Sequence, residues 1–191
     1  MAGGKPGRAA RPRGQDPRDA RAQGTGAAEI VAPRRVLDAR AARLAAGDLL
    51  SRRAWTCAEL GARLRRRGAP PDVAADVVSD LAARGYLDDA AFARHWVATR
   101  VSRGYGPARL RAELRARGVA PRLIDDALTA MEPGEPLARA RDAARRRLPA
   151  LRRGRADRVA PRLRDYLLRR GYAAGVVARV VRESTGVAED G

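Results

Sequence analysis

A short motif of two leucines and an arginine–glycine pair occurs three times along the chain. The leucines are four residues apart, and the glycines at positions 68, 118 and 171 are separated by 50 and 53 residues. A period of this size is typical of an array of small helical units. The three copies are Leu60, Leu64 and Arg67-Gly68; Leu110, Leu114 and Arg117-Gly118; and Leu163, Leu167 and Arg170-Gly171.

Residues that favour helix ends surround the motif. Asp88 is suited to an N-cap, Pro107 to a first helical position and Gly118 to a left-handed C-terminal cap. Thr56 and Glu59 have the spacing of a capping box, in which each side chain bonds a free amide near the other residue. In the middle repeat, helices are predicted near 88–102, 107–117 and 121–131.

We therefore predict an all-α fold of three tandem three-helix repeats that form an elongated, curved array. A unit of about 50 residues buries only ~60% of its unfolded surface. We accordingly expect stacked repeats to share one continuous core. In the third repeat, Pro149 and the segment 152–157 are expected to interrupt a long first helix. The predicted division is a disordered basic tail at 1–34, repeats at 35–87, 88–133 and 134–184, and a C-terminal tail at 185–191.

Positive charge is in large excess. The chain has 40 Lys and Arg residues against 22 Asp and Glu, a net charge of +18, which predicts an anionic partner. Lys5 is the only lysine, and an arginine bias of this kind is typical of a GC-rich genome. That bias explains arginine in place of lysine, but it does not explain the excess over acids.

Other features of the composition predict a cytoplasmic protein without a membrane partner, and we expect it to be a monomer, although the sequence does not give the oligomeric state. Cys57 is the only cysteine, which excludes an intrachain disulfide and favours a reducing compartment. No apolar run approaches the ~20 residues of a membrane span. His95 is the only histidine, and no metal-ligand spacing or nucleophile motif is present. We therefore predict a non-enzymatic protein that needs no cofactor and no metal.

Arginines concentrate on the second helix of each repeat. Three of them near helix C-termini complement the helix dipole, which explains them without a partner: Arg67, Arg117 and Arg170. Arg109 and Arg111 lie in a first turn, where the dipole disfavours cations, and they remain unexplained. With their neighbours they form the best candidate for a binding surface. The predicted partner-binding residues are Arg65, Arg66, Arg100, Arg103, Tyr105, Arg109, Arg111, Arg115 and Arg117.

The third helices argue against an ordinary helix-turn-helix reader of DNA. Such a reader needs cationic or amide side chains on its last helix. In the first two repeats that helix carries acids that phosphate would repel: Asp72, Asp76, Asp80, Asp125 and Asp126. The last helix of the third repeat carries Arg179 and Arg182, so a helix-turn-helix mode of DNA binding stays possible for that repeat.

Two segments of the middle repeat resemble the signature of the RecX family of bacterial recombination regulators. They are Gly85–Ala93 and Arg103–Leu114. Residues 56–68 are similar to the first repeat of that family, and residues 167–172 are similar to its third. The resemblance covers residues 37–183 and leaves the N-terminal tail outside.

The resemblance implies a non-enzymatic modulator of the RecA recombinase. Members of the family are tandem three-helix repeats that lie in the deep groove of the RecA–DNA filament. They inhibit ATP hydrolysis, strand exchange and co-protease activity, and so restrain recombination and the SOS response. The implied partner is the RecA filament, with single- or double-stranded DNA as a secondary partner.

The residues themselves leave two alternatives open. One is a helical protein that binds DNA directly through arginine–phosphate contacts. The other is a scaffold that recognises an unrelated acidic protein.

Overall fold

The computed structural model describes Met1, Gly3 and residues 36–130 and 136–186, and within them all regular structure is helical. The all-α prediction is therefore confirmed. The rest of the predicted N-terminal tail, the predicted boundary at 133 and residues 187–191 lie outside the described residues. The helices are α1 (Ala39–Leu50), α2 (Cys57–Arg66), α3 (Pro71–Ala83), α4 (Asp89–Ser102), α5 (Pro107–Ala116), α6 (Pro121–Thr129), α7 (Pro136–Arg152), α8 (Val159–Arg169) and α9 (Ala174–Thr185).

The chain divides into two units, Met1–Arg34 and Arg35–Gly191, and all the described helices belong to the second unit. None of these helices is long and apolar enough to cross a membrane. A short 3-10 helix, Ala156–Arg158, precedes α8.

The buried apolar side chains form three separate clusters. One belongs to α1–α3, one to α4–α6 and one to α7–α9, which we call repeats one, two and three. Each cluster contains the two leucines of the sequence motif, all with no exposed surface: Leu60 with Leu64, Leu110 with Leu114, and Leu163 with Leu167. The prediction of one continuous core is therefore wrong. Each repeat buries its own leucines, and neighbouring repeats are joined in another way.

The predicted helix ends of repeat two are confirmed. Asp88 is the N-cap of α4, and its Oδ1 accepts a hydrogen bond from the Ala91 amide at 2.8 Å. Pro107 is the first residue of α5. Gly118 follows that helix with a φ of +76°, in the left-handed region. These features are local, so the sequence was sufficient to predict them.

Only half of the predicted capping box forms at the start of α2. Thr56 Oγ1 accepts a hydrogen bond from the Glu59 amide at 3.1 Å, as expected for an N-cap. The Glu59 carboxylate instead pairs with Arg53 at 3.0 Å and with Arg117 at 2.5 Å. Arg117 belongs to repeat two, so the Glu59 carboxylate forms an ion pair between repeats one and two.

Pro149 does not interrupt the first helix of repeat three. The helix continues from Pro136 to Arg152 with Pro149 inside it, so the predicted break at this residue is wrong. Proline removes one helical hydrogen bond and crowds the preceding turn. Pro149 itself is exposed, whereas Leu148 and Leu151 beside it are buried in the core of repeat three. Burial of these leucines offsets the lost bond.

The contact between repeats one and two, the first joint, places the end of α5 against the start of α2. Thr56 Oγ1 donates a hydrogen bond to the Arg117 carbonyl oxygen at 2.6 Å. The Cα of Gly118 lies so close to Ala58 that a side chain at this position would collide with the Ala58 methyl group. The arginine–glycine pair therefore docks on the equivalent helix of the preceding repeat.

The contact between repeats two and three, the second joint, follows the same plan. The Gly106 amide donates to the Arg170 carbonyl at 2.6 Å, and the Ala108 amide donates to the Gly171 carbonyl at 3.2 Å. Free amides at the start of α5 thus meet carbonyls at the end of α8, and each satisfies the other. Gly171, with a φ of +85°, approaches the backbone of Arg109. Besides ending its helix, the repeated arginine–glycine pair connects the repeats.

Neither end of the described array can repeat this joint. At the first end, the Leu37 amide donates to the Gly68 carbonyl at 3.0 Å. At the other end, Val159 and Pro161 occupy the positions of the two amide donors of the second joint. Proline has no amide hydrogen, and the Val159 amide already donates to Ala156. Terminal repeats of a solenoid need such capping.

Glu183 on α9 ties repeat three together and confers a pH dependence. Its carboxylate accepts hydrogen bonds from Arg141 at 2.7 and 2.8 Å and from Arg179 at 3.1 Å. The bonds from Arg141, followed by that from Arg179, lower the pKa of Glu183 from 4.5 to about 2. Because the folded pKa is depressed, this stabilisation is present above about pH 4.5 and is lost as the pH falls towards 2.

We expect Glu183→Gln to lower the melting temperature at neutral pH and to match the wild type as the pH approaches about 2. The measurement is thermal unfolding of both proteins across this acidic range. Asp126→Asn, at an exposed position without an ion pair among the described residues, is the control and should show no such convergence. A gap for Glu183→Gln that is independent of pH would contradict the assignment.

Candidate partner-binding surface

Glu113 on α5 gathers three side chains at one place in repeat two. Trp96 Nε1 donates to its carboxylate at 3.1 Å, and Arg109 Nε donates at 2.9 Å. Arg100 Nε lies 3.6 Å from the same carboxylate. Each helix presents residues one turn apart on one face, so Trp96 and Arg100 of α4 meet Arg109 and Glu113 of α5. Glu113 thus holds two guanidinium groups that would otherwise repel each other.

Arginines of repeat two also stack on aromatic rings. The Cζ of Arg117 lies 4.0 Å from the centre of the Trp96 ring, and that of Arg100 lies 4.3 Å from it. The Cζ atoms of Arg109 and Arg100 lie 4.6 and 5.6 Å from the centre of the Tyr105 ring. Such contacts stabilise by about 0.5–1 kcal/mol at exposed sites, and they fix the direction of each guanidinium group.

The stacking continues across the second joint into repeat three. The Cζ of Arg170 lies 4.6 Å from the centre of the Tyr105 ring and 4.9 Å from that of Tyr166. Arg147 lies 5.6 Å from the Tyr166 ring, and Arg170 also donates a hydrogen bond to the Arg103 carbonyl. We call the connected set the cationic–aromatic strip: Phe92, Trp96, Arg100, Tyr105, Arg109, Arg117, Arg147, Tyr166 and Arg170.

The strip has more positive than negative charge. Its five guanidinium groups are paired with only two carboxylates among the described residues, Glu113 and Glu59. Arg103 is exposed beside the strip and forms no ion pair with a described residue. A surplus of fixed positive charge attracts an anionic partner and accelerates its association.

The structure assembles only part of the predicted set on this strip. Arg100, Tyr105, Arg109 and Arg117 belong to it, and Arg103 adjoins it. Arg111 is instead paired with Asp125 of α6 at 2.7 Å. The helix dipole left Arg109 and Arg111 unexplained, and Glu113 and Asp125 now account for both. The remaining predicted residues are exposed without an ion pair in the described part of the chain: Arg65, Arg66 and Arg115.

Six residues of this site were missed by sequence reasoning: Phe92, Trp96, Glu113, Arg147, Tyr166 and Arg170. A signal for Glu113 was present, because it lies four residues after Arg109 on the same helix. Arg170 was attributed to the helix dipole alone. Its contact with Tyr105 joins residues 65 positions apart, and no local pattern indicates it.

The single histidine and the single cysteine lie outside the strip. Among them, no group of three or more His, Cys, Asp or Glu side chains could hold a metal ion. His95 is exposed on α4. Burial, followed by the negative charge of Asp89, raises the pKa of Cys57 to about 11, so its thiol stays protonated at neutral pH. The Cys57 amide, at the start of α2, donates a hydrogen bond to Asp89 Oδ1 of α4 at 2.9 Å, so this residue takes part in the first joint.

The fold and the strip define a class of protein: a tandem array of three-helix units with a surplus of positive charge on one connected set of arginines and aromatic rings. Residues 88–128 match the family model described as RecX, second three-helix domain, and residues 42–81 match RecX, first three-helix domain. Regulatory protein RecX of Thermobifida fusca (strain YX) is 41% identical over 136 residues, 71% of this chain and 74% of the relative. The chain belongs to the RecX family of regulatory proteins, as the segments of repeat two predicted.

Further comparisons agree. Regulatory protein RecX of Halorhodospira halophila (strain DSM 244 / SL1) is 43% identical over 141 residues, 72% of this chain and 84% of the relative. The crystal structure of a regulatory protein RecX matches with a TM-score of 0.67 at 23% identity, over 76% of this chain and 73% of that one. RecX from Lactobacillus salivarius matches with a TM-score of 0.66 at 17% identity, over 78% and 97%. At these identities the two structures support the fold alone.

Proposed function

We propose that this protein regulates the RecA recombinase by binding in the groove of the RecA–DNA filament. Binding there inhibits ATP hydrolysis, strand exchange and co-protease activity, and so restrains recombination and the SOS response. The observation that carries the proposal is the RecX family match of residues 88–128, the repeat that holds most of the strip. We further propose a non-enzymatic protein that acts in the cytoplasm.

The strip is the surface proposed to contact the filament. Its arginines are held by carboxylates and aromatic rings before any partner arrives, so binding costs little side-chain entropy. Because the strip crosses the second joint, two repeats present it together. We include the other arginines of the predicted set as further proposed contacts, four of them exposed and Arg111 half-buried in its pair with Asp125: Arg65, Arg66, Arg103, Arg111 and Arg115.

The decisive experiment is a titration of the protein into RecA on single-stranded DNA with ATP. We expect hydrolysis and strand exchange to fall as the protein concentration rises. An unrelated ATPase that depends on single-stranded DNA is the control, and its rate should not change. Undiminished RecA hydrolysis at a large excess of protein would contradict the proposal.

Direct DNA binding is the second candidate function. The observation that favours it is the set of exposed arginines without a carboxylate partner, such as Arg65, Arg103 and Arg115. If these contact phosphates, the logarithm of affinity should fall with the logarithm of salt concentration, with a slope of about −0.9 per contact on duplex DNA. Tight, salt-dependent binding to DNA without RecA, together with inhibition of the control ATPase, would favour this alternative.

We also propose that the protein acts as a monomer. Both ends of the described array are closed by the chain's own residues, Leu37 at one end and Val159 with Pro161 at the other. A second copy therefore has no free joint to continue. Sedimentation at increasing concentration should give a constant monomer mass, and a mass that rises with concentration would contradict the proposal.

A further inference from the structure

Repeat three has an apolar groove between α8 and α9. Two cavities, of about 550 and 360 Å³, lie along these helices, and both are lined by Arg164. Apart from Arg164, the smaller cavity is lined by glycine and aliphatic side chains, and Leu168 among them is 43% exposed. The residues that line the groove include Ala160, Arg164 and Leu168 of α8 and Ala174, Ala178 and Val181 of α9.

In repeat two, an ion pair spans the two helices that correspond to α8 and α9. By the repeat spacing, Arg164 corresponds to Arg111, and Ala178 corresponds to Asp125. In repeat two, the Arg111–Asp125 ion pair spans α5 and α6 at 2.7 Å. In repeat three, alanine replaces the aspartate. Arg164 is therefore exposed in the groove, without an ion pair to a described residue.

The other charged residues of the groove already have partners. Arg152 donates a hydrogen bond to the Ser184 carbonyl at 3.3 Å. Asp157, the acid that lines the groove, is paired with Arg155 at 3.2 Å and with Arg158 at 3.8 Å. Neither neutralises Arg164, so the groove has an uncompensated cation.

We propose that this groove binds an acidic amphipathic helix of a partner protein. A carboxylate of that helix pairs with Arg164, as Asp125 pairs with Arg111, and its aliphatic side chains fill the surface around Leu168 and Ala178. From Ala160 to Leu168 the groove wall measures roughly 12 Å at the helical rise per residue, which suits about two turns of a docked helix. The proposal does not rest on the RecA function, since no residue of the strip lines the groove.

The probe is a stapled helix of about three turns with leucines at i, i+4 and i+7 and one adjacent glutamate. Its binding to the full-length protein is compared with that of a counterpart in which glutamine replaces the glutamate. We expect the glutamate probe to bind about tenfold more tightly, because a charged hydrogen bond is lost in the counterpart. Arg164→Ala should remove this preference, and Arg169→Ala, the same charge change on α8 away from the groove, should retain it.

A second variant tests the same idea from the opposite side of the groove. Ala178→Asp places a carboxylate where repeat two has Asp125. We expect Arg164 to pair with this carboxylate and therefore no longer to bind the glutamate of the probe. Probe affinity should fall about tenfold, while helicity and melting temperature are maintained. Unsaturable binding to the wild type, no preference for glutamate, or full affinity in Arg164→Ala or in a folded Ala178→Asp would each overturn the proposal.

Discussion

Replacing Gly171 with alanine is expected to weaken the second joint and to lower the free energy of unfolding by roughly 3 kcal/mol. A residue with a Cβ in the left-handed region costs about 1–2 kcal/mol. The added Cβ would also lie 2.6 Å from the Cβ and 3.0 Å from the Cα of Arg109. Relief of this overlap separates Gly106 and Ala108 from their carbonyl partners, and each hydrogen bond contributes about 0.5–1.5 kcal/mol.

Gly85 offers a matched control for this substitution. It has a φ of +76°, but a methyl group added at this position would meet no atom of another part of the chain within 4 Å. Gly85→Ala should therefore show only the cost of the left-handed conformation. The measurements are chemical denaturation and amide hydrogen exchange at Gly106 and Ala108, which should accelerate in Gly171→Ala alone. Equal losses of stability with unchanged exchange would show that the joint does not depend on this glycine.

The contacts at the two joints could not be predicted from the sequence, although the helix ends near them could. The N-cap at Asp88 and the left-handed Gly118 were predictable because each depends on a few neighbouring residues. The arginine–glycine pair was recognised as a repeat, but its role between repeats was not. That role depends on main-chain carbonyls and amides from residues far apart in sequence, and side-chain patterns contain no information about their pairing.

The expectation of a continuous core failed for a related reason. It came from the general behaviour of repeat arrays, in which one unit alone buries too little surface. Here each leucine pair, such as Leu110 and Leu114, is already fully buried within its own three helices. Hydrogen bonds at the joints then connect units that each have a core. Pro149 was misjudged similarly, because its cost is local whereas the compensating burial of Leu148 and Leu151 is tertiary.

The sequence predicted several arginines of the candidate surface, but it did not predict the contacts that hold them in place. The sequence indicated that arginines cluster around Tyr105, and four members of the strip were among the predicted residues. The aromatic rings and the carboxylate of Glu113 that orient them come from three helices, from the segment between α4 and α5, and from two repeats. Arg117 and Arg170 belong both to the strip and to the joints, so the geometry of the surface depends on how the repeats are connected.

Arg103 is the residue that best separates binding from folding at this surface. Reversal of Arg109 would place two negative charges together, because Glu113 lies 2.9 Å from its guanidinium group. Reversal of Arg111 would do the same with Asp125. The side chain of Arg103 is exposed and has no ion pair among the described residues. Only its backbone is used: its amide donates to the Arg100 carbonyl, and its carbonyl accepts a hydrogen bond from Arg170. Its charge can therefore be reversed without removing an internal contact.

We expect Arg103→Glu to require about tenfold more protein for half-maximal inhibition of RecA ATP hydrolysis, because a like charge then faces the anionic partner. The melting temperature should stay close to that of the wild type. Arg122→Glu is the matched control: it makes the same charge change at an exposed position of α6 outside the strip, and its inhibition curve should not move. Identical curves for Arg103→Glu and the wild type would contradict a role for Arg103. Equal weakening by both variants would mean that net charge, rather than this surface, determines binding, as direct association with DNA requires.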